Sequence, residues 1–177
     1  FVVNAPGLDA DTVAALPGLD LDAAGYRLTW TKGSYFRIRG GRRHLAGRLL
    51  YPVVPVGYGS VLGIHLTIDL DGELKLGPDV EVLPGRRQDY AVDESRRDTF
   101  LEAARRYLPS LEPDDLSPDQ SGIRARLQAI GAPFRDFVLA EESERGLPGW
   151  VNLVGIESPG LTSCLEIASE VKALIGD

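Results

Sequence analysis

The segment from Gly149 to Val171 constrains the fold of this chain more than any other part of it. An apolar run, Trp150 to Val154, predicts a strand, and a loop rich in glycine and proline, Gly155 to Gly160, follows it. Apolar residues then recur at helical spacing, so the loop should open into an amphipathic helix. A helix start presents unpaired N–H groups that attract an electron-rich oxygen. The residues alone leave two interpretations open, an anion site and an ordinary strand-to-helix turn.

The apolar stripe of this last helix is expected to face the core. Its members are Leu161, Cys164, Leu165, Ala168, Val171 and Ile175. Ser163 and Glu166 have the spacing of a capping box at the helix start. Cys164 is the only cysteine, which excludes an internal disulfide and favours a reducing, cytoplasmic location. Its place on the apolar stripe predicts a buried structural thiol.

Composition sets further limits on partners and cofactors. With 177 residues, 44% hydrophobic and 25% charged, the chain can form a single globular unit with its own core. A net charge of −7 argues against nucleic acid or an anionic membrane surface as a partner. No apolar run approaches the ~20 residues of a membrane-spanning helix. Two histidines and one cysteine without metal-ligand spacing predict no metal site.

The predicted elements run strand, short helix, several strands, helix, three strands and a final helix. Asp71-Gly72 is a hairpin signal between neighbouring strands, and Asp93 can cap the helix that contains Phe100. Leu49 to Val54 also reads as a strand. Hairpin-linked strands with few helices predict an α+β fold with a mainly antiparallel sheet and flanking helices. Pro109 to Asp119, rich in proline and acidic residues, is predicted to be a linker.

Two polar residues stand out within strand-like runs. His65 is either a histidine satisfied within the fold or a general base, because an imidazole with an ordinary pKa near ~6.5 can take up a proton at neutral pH. Arg124 is either exposed or the two-pronged partner of a substrate carboxylate. A cluster of arginines with His44, between Arg37 and Arg48, is expected to be a solvated loop rather than a phosphate or partner patch.

Six segments, taken together and in chain order, carry a resemblance to a known family. They are VVNAPGLDAD (Val2 to Asp11), KGSYFRI (Lys32 to Ile38), LLYPVVP (Leu49 to Pro55), LGIHLTIDLDGELKLGPDVE (Leu62 to Glu81), SGIRARL (Ser121 to Leu127) and GIESPGLTS (Gly155 to Ser163). In these segments the chain resembles FAD-dependent oxidoreductases of the D-amino-acid oxidase superfamily, most closely the branch of L-2-hydroxyglutarate oxidases and dehydrogenases. The resemblance covers nearly the whole chain.

The resemblance implies roles for eight residues. His65 matches a histidine near the flavin and is the expected catalytic base, and Arg124 matches the arginine that pairs with the substrate carboxylate. Tyr35 matches a position on the substrate-domain sheet and is expected to bind substrate. The expected cofactor-binding residues, beside the pyrimidine edge of the flavin, are Gly155, Pro159, Gly160, Leu161 and Thr162.

The resemblance also implies a division of the chain. Residues of about 1–20 and 150–177 would belong to an FAD-binding domain, and residues of about 21–149 to a substrate-binding domain. Members of the family open with a glycine-rich dinucleotide fingerprint, whereas the nearest match here, Gly57 to Gly63, has the wrong spacing and reads as a hairpin connection. We therefore expect the C-terminal half of a flavoprotein. The N-terminal FAD-binding half, possibly a separate chain, would be a partner, without which this chain should not retain FAD.

The function expected from the resemblance is oxidation of a small 2-hydroxy acid by hydride transfer to FAD. Two alternatives stay open: an FAD-dependent amino-acid or amine oxidase portion, and a non-catalytic module that binds a carboxylate. The chain departs from the family pattern at Pro6, at Ala125-Arg126, where Pro-Lys is common, and at Arg145. The last two departures leave the detail of the substrate pocket open.

Overall fold

The computed structural model describes residues 1–53, 63–129 and 131–176. It combines helices with mainly antiparallel sheets, so the predicted α+β class is confirmed. In the predicted strand from Leu49, only an isolated bridge between Leu50 and Leu66 is described, and Val54 lies outside the described residues. Residues 57–62 of the predicted hairpin connection from Gly57 to Gly63 also lie outside the described residues.

The strands and α-helices of the described residues are numbered in chain order. The strands are β1 (Val2–Asn4), β2 (Thr29–Ile38), β3 (His65–Ile68), β4 (Leu74–Gly77), β5 (Glu81–Val82), β6 (Leu116–Arg126), β7 (Val138–Glu142) and β8 (Leu147–Val154). The helices are α1 (Ala10–Ala15), α2 (Leu21–Ala24), α3 (Arg97–Arg105) and α4 (Cys164–Ile175).

One compact unit comprises residues 1–30 and 124–177. Its sheet has the order β1-β8-β7, with β1 parallel and β7 antiparallel to β8. The central strand β8 buries Val151 and Val154 completely, and α1 and α4 both pack against it. A central strand covered by helices needs apolar side chains on both faces, which explains the continuous apolar run that the sequence shows here.

A buried carboxylate at the end of β7 ties the strands of this unit together. Glu142 accepts hydrogen bonds from the Tyr26 hydroxyl at 2.8 Å, the Asn152 amide at 2.9 Å and the Arg145 guanidinium at 2.6 Å. Burial, followed by the bond to Glu142, raises the pKa of Tyr26 to about 12. The Asn152 side chain in turn accepts a bond from Asn4 of β1 at 2.7 Å. Arg145, a departure from the family pattern, is therefore part of a structural network in this chain.

The other compact unit, residues 31–123, is built around a five-stranded sheet. Its order is β3-β4-β2-β5, with β6 also paired to β2, and the pairs β3–β4, β4–β2 and β2–β5 are antiparallel. The predicted hairpin at Asp71-Gly72 is confirmed, because Ile68 pairs with Leu74 across the turn. Gly72 has a φ of 79°, a conformation that favours glycine at this position.

One face of this sheet packs against α3. The Asp93 side chain accepts a bond from the N–H of Ser95 at 2.9 Å and caps the short turn that leads into the helix, as predicted. The rings of Phe36 and Phe100 lie with their centroids 4.6 Å apart at the centre of the contact. The core around them contains Ile38, Leu66, Leu74, Leu76, Leu101, Ala104, Leu108, Leu111 and Leu116.

The prediction of a linker from Pro109 to Asp119 is wrong. Leu111 and Leu116 are fully buried in the core, and β6 begins at Leu116. Pro113 and the acidic residues between them form a tight turn, in which the N–H of Glu112 donates to the Asp115 carboxylate at 2.8 Å. The burial of these two leucines therefore makes the stretch part of the folded core, despite its polar composition.

The prediction of a buried stripe on the last helix is wrong for its first residues, Leu161, Cys164 and Leu165, while Val171 and Ile175 are half-buried. Leu161 and Leu165 are 89% and 81% exposed, and Cys164 is an exposed thiol. The half-buried positions of α4 are Ile167, Val171 and Ile175, spaced by four residues, and the helix contacts β7 and β8. The helix therefore packs through a face centred on Val171, next to the apolar face that sequence periodicity selects.

Three arginines of the cluster between Arg37 and Arg48, which begins inside β2, form ion pairs with carboxylates. Arg37 pairs with Asp119 at 2.7 Å, Arg42 pairs with Asp115 at 3.0 Å, and Arg43 pairs with Glu73. These pairs support the interpretation of a solvated surface loop. Among the described residues, no helix has the length and apolar character needed to cross a bilayer. The predicted division into FAD-binding and substrate-binding domains stays a prediction.

Candidate active site

His65 and Tyr35 lie in one cross-strand row of the sheet in residues 31–123. His65 of β3 is opposite Gly77 of β4, and the β2–β4 register continues the row to Tyr35. Side chains in one row point to the same face of a sheet. The adjacent row, which faces the apolar core, consists of Leu66, Leu76 and Phe36. His65 and Tyr35 therefore share the opposite, polar face.

His65 is held between an aromatic ring and the backbone. The side chain is 5% exposed, and its ring stacks on Tyr51 with centroids 4.3 Å apart and planes inclined by 18°. Its Nδ1 lies 3.4 Å from the carbonyl oxygen of Gly63. A carbonyl oxygen only accepts hydrogen bonds, so this long contact favours the tautomer with the proton on Nδ1. The lone pair then resides on Nε2, which can accept a proton.

Gly77 keeps the space between His65 and Tyr35 free of a third side chain. A Cβ at this position would lie 2.7 Å from Cδ1 of Tyr35 and 2.7 Å from the carbonyl oxygen of Ser34. The φ of Gly77 is 144°, which L side chains rarely adopt. The Tyr35 ring consequently leans over the backbone of β4, and the row presents one imidazole and one phenol to the same face.

The next row on this face is ionic. Lys75 Nζ lies 3.0 Å from Asp119 and 3.4 Å from Asp69, and Arg37 contacts Asp119 as well. The hydrogen bond to Asp119 raises the pKa of Lys75, so its charge persists at neutral pH. Each cation of this row is compensated by a carboxylate, which fixes the side chains beside the His65 row.

Arg124 lies at the end of β6, in the other compact unit, and shares a carboxylate with Arg126. Arg124 Nη1 is 3.5 Å from Oε2 of Glu157, whereas Arg126 Nε is 3.2 Å from Oε1. Residues two apart in a strand point to the same side, so both guanidinium groups face the loop that follows β8. The Arg124 side chain is 37% exposed and that of Arg126 only 6%. Arg124 is therefore the cation that a ligand can reach.

The loop from Gly155 to Gly160 is closely packed. A Cβ at Gly155, where φ is 75°, would lie 2.4 Å from Cγ of Leu127, and a Cβ at Gly160 would lie 2.3 Å from Cγ2 of Ile156. The N–H of Gly160 also donates to the carbonyl oxygen of Glu157 at 2.6 Å. The local packing therefore requires glycine at both positions.

The start of α4 differs from the predicted capping box. The Ser163 hydroxyl donates to the carbonyl oxygen of Pro159 at 3.1 Å and caps no N–H group, and the helix begins at Cys164. Within the described part of the chain, the backbone N–H groups of Leu161 and Thr162 donate to no protein acceptor. Both residues are exposed, so these two donors are open to a ligand oxygen.

A comparison with protein families identifies the family of this chain. The family model described as FAD dependent oxidoreductase, or DAO, matches residues 1–174. The chain belongs to this FAD-dependent oxidoreductase family. The resemblance found in the sequence is confirmed, and FAD is the cofactor of the family.

Relatives of known description agree with this family. The chain is 39% identical over 184 residues to the protein described as mitochondrial L-2-hydroxyglutarate dehydrogenase of Arabidopsis thaliana, covering 97% of this chain and 36% of that protein. It is 25% identical to L-2-hydroxyglutarate dehydrogenase of Escherichia coli K12, covering 96% and 46% respectively. The chain therefore spans between about a third and a half of the length of these relatives.

Solved structures share the fold. The FAD-bound, dithionite-reduced L-α-glycerophosphate oxidase from Mycoplasma pneumoniae matches with a TM-score of 0.69 and 20% identity, over 98% of this chain and 42% of that one. Glycine oxidase from Bacillus cereus matches with a TM-score of 0.57 and 16% identity, over the same shares. At these identities the likeness concerns the fold alone.

The segment of residues 155–162, here called the closing loop, has backbone donors that fit the cofactor of this FAD-dependent oxidoreductase family. Two open N–H groups, at Leu161 and Thr162, can meet an electron-rich oxygen or nitrogen. Two arginines face one glutamate behind the loop, which leaves a surplus of positive charge among these three residues. Both features stabilise negative charge, so the residues that the family pattern assigns to the flavin have suitable chemistry.

Sequence reasoning missed three residues that lie at or beside the candidate site residues. Tyr51 stacks on His65, and Glu157 forms an ion pair with Arg124. Arg126 forms an ion pair with the same glutamate. Tyr51 lies fourteen positions before His65, and within the described residues an isolated bridge between Leu50 and Leu66 brings the two segments together. The i, i+2 spacing of Arg124 and Arg126 was a usable signal, because it places two cations on one face of a strand.

Gly160→Ala should destabilise this member of the family even without flavin. The added Cβ would collide with Ile156 and with the Glu157 carbonyl, and overpacking of this kind costs roughly 1–3 kcal/mol. Chemical denaturation followed by circular dichroism measures the loss. Gly47→Ala is the matched control, because a Cβ at Gly47 meets nothing within 4 Å. Equal stability of the two variants would contradict the assignment of Gly160 to a closed turn.

Proposed function

We propose that this chain is the substrate-binding portion of an FAD-dependent oxidoreductase that oxidises a small 2-hydroxy acid, with L-2-hydroxyglutarate as the first candidate. The observation that carries the proposal is 39% identity over 97% of the chain to a protein described as an L-2-hydroxyglutarate dehydrogenase. The arrangement of His65 supports oxidation of an alcohol, because that reaction needs a base for the hydroxyl proton. Oxidation of an amine, the alternative considered from sequence, requires the carboxylate partner without such a base.

We assign to Arg124 the binding of the substrate carboxylate. Its guanidinium is more than a third exposed and its contact with Glu157 is 3.5 Å, which is long for a charged hydrogen bond. A substrate carboxylate can form two parallel bonds with the planar guanidinium group, and these fix the orientation of the acid. In this assignment Arg124 binds and orients the acid and takes no part in proton transfer.

We assign to His65 the role of accepting the hydroxyl proton of the substrate. The Gly63 carbonyl favours a proton on Nδ1, and the stacked ring of Tyr51 restricts rotation of the imidazole. The Nε2 lone pair then accepts the proton as the C–H bond of the substrate is broken and its two electrons leave as hydride. When bound, FAD supplies the hydride acceptor for this step. Tyr35, in the same row, is assigned to substrate binding on the polar face of the sheet.

The closing loop is assigned to the flavin. Gly155, Pro159, Gly160, Leu161 and Thr162 form a fixed turn, and the open N–H groups of Leu161 and Thr162 can stabilise the negative charge that reduction creates. The dinucleotide-binding half belongs to the same proposal, either on the same polypeptide or on a separate chain. The cytoplasmic location expected from sequence stays a prediction, while the Arabidopsis relative is described as mitochondrial.

Anaerobic reduction of the flavin in the complete protein tests this function. L-2-Hydroxyglutarate should bleach the flavin absorbance within a turnover, whereas its D-enantiomer should act far more slowly. L-Glutamate, which replaces the hydroxyl group by an amine at the same carbon, is the matched comparison. Faster reduction by L-glutamate than by any 2-hydroxy acid would overturn the proposal in favour of amine oxidation. Carboxylate binding without reduction by either class would support a non-catalytic module.

A further inference from the structure

Glu157 holds an unexpected position for a carboxylate in a loop assigned to anionic partners. Its side chain is 12% exposed and lies between the guanidinium groups of Arg124 and Arg126. Among the described residues, the ion pairs of both arginines lead to this single glutamate. The three side chains therefore carry a net charge of about +1, which one further carboxylate would neutralise.

The two halves of this cluster differ in strength. Arg126 Nε approaches Glu157 Oε1 to 3.2 Å, and its side chain is only 6% exposed. A buried guanidinium cannot lose its proton and needs a permanent counter-ion, so Arg126 retains Glu157. Arg124 reaches Oε2 at 3.5 Å with 37% of its side chain exposed. The contact to Arg124 is therefore the weaker of the two and should break first.

The turn holds the backbone of Glu157 in place beside the arginines. Its carbonyl oxygen accepts a bond of 2.6 Å from Gly160, and a Cβ at Gly160 would already lie 2.8 Å from the same oxygen. The backbone of the loop is thereby fixed at Glu157. When a ligand carboxylate engages Arg124, the glutamate carboxylate stays nearby, bound to Arg126.

We propose that Glu157 is an internal competitor for the substrate carboxylate at Arg124, with Arg126 as its fixed anchor. In the ligand-free protein, Glu157 occupies Arg124, and one ligand carboxylate displaces it from that guanidinium alone. The competition weakens the binding of substrate and of its 2-oxo acid product alike, because both contain the carboxylate. Glu157 thereby limits product retention and determines affinity for acids. This inference rests on the proposed role of Arg124 as the carboxylate partner.

Glu157→Gln in the complete, FAD-loaded protein tests the competition. Glutarate is a suitable probe, since it has two carboxylates and no hydroxyl group to oxidise, and isothermal titration calorimetry gives its dissociation constant. Without the competing charge, glutarate should bind about tenfold more tightly, because attraction to Arg124 in a partly buried site is no longer offset. Unchanged or weaker binding of glutarate to a folded Glu157→Gln variant would overturn the proposal.

Two further variants protect the test from a folding defect. Glu157→Gln leaves Arg126 buried without a counter-ion, whereas the double variant Arg126→Leu with Glu157→Gln removes both charges. The double variant should still bind glutarate more tightly than the wild-type protein, because Arg124 has lost its competitor. Glu166→Gln is the matched control for net charge, because Glu166 is exposed on the first turn of α4, and it should leave the dissociation constant unchanged.

Measurements on Arg124→Ala protein distinguish a failure of this inference from a failure of the proposed function. In Arg124→Ala protein, adding Glu157→Gln should produce no gain in glutarate affinity, because the site of competition has been removed. If Arg124→Ala alone leaves glutarate binding unchanged, the assigned role of Arg124 fails. If Arg124→Ala weakens binding while Glu157→Gln tightens it equally with and without Arg124, the competition fails and Arg124 keeps its role.

Discussion

Replacing Arg124 with alanine in the complete protein is expected to weaken binding of the acid substrate by about 2–5 kcal/mol, or about 30- to 5,000-fold. The reason is the loss of the exposed guanidinium from a cluster in which Arg126 is already committed to Glu157. Arg124→Lys keeps the charge without the two-pronged geometry and should raise the KM for the acid. Steady-state kinetics, together with the dissociation constant of glutarate, measure both effects.

The neutral amide of the substrate distinguishes binding from folding in the Arg124 variants. An amide analogue carries no charge, so it should lose comparatively little affinity on Arg124→Ala. Arg27→Ala is the matched control, because Arg27 forms an ion pair of 2.7 Å with Asp22 in which both side chains are mostly exposed. Such a surface pair contributes little, and its removal should leave KM unchanged. Equal losses for acid and amide would show that the carboxylate partner lies elsewhere.

The fold class could be predicted from sequence because local patterns and tertiary packing agree over most of the chain. The hairpin at Asp71-Gly72 and the capped helix with Phe100 form as expected, since turn chemistry and a periodic apolar face point to the same structure. The prediction of a linker from Pro109 to Asp119 was wrong because composition gives no information on whether the two leucines are buried. Leu111 and Leu116 fill the core from opposite ends of a capped turn.

The last helix shows a different limit of sequence reasoning. Periodicity identifies an apolar face on α4, yet Leu161, Cys164 and Leu165 are exposed in this chain. Hydrophobic spacing predicts that a helix has an apolar side, and it cannot give the rotation at which the helix meets its sheet. Half-buried Val171, with Ile167 and Ile175 on either side, shows the rotation that the contact with β7 and β8 selects.

The candidate site was predictable in part. Family motifs supplied His65 and Arg124, and their roles stay predictions. The structure adds long-range neighbours that no motif lists: Tyr51 stacked on His65, and Glu157 beside Arg124. Glu157 is separated from Arg124 by 33 positions in the chain, and a loop glutamate by itself predicts only a solvated charge. In the structure, Arg124 and Arg126 of β6 are its ion-pair partners.

Replacing His65 with asparagine is expected to lower the rate of flavin reduction by roughly 10²–10⁴-fold while FAD stays bound. Asparagine keeps a polar side chain on the row shared with Tyr35, but it cannot accept the hydroxyl proton at neutral pH. Wild-type reduction should lose rate as pH falls through the pKa of the base, because a protonated imidazole has no lone pair. The variant should lack this pH dependence, which stopped-flow absorbance across a pH series would measure.

His44→Asn provides the control for His65→Asn within the same chain. His44 is the other histidine, it is exposed, and its Nδ1 contacts the Gly41 carbonyl at 3.1 Å, so its replacement should leave rate and pH profile unchanged. A structural role for His65, stacked beneath Tyr51, would instead lower stability and preserve the rate of each folded molecule. That outcome would remove the assigned proton acceptor from the mechanism and leave Tyr35 as the other polar side chain of this row.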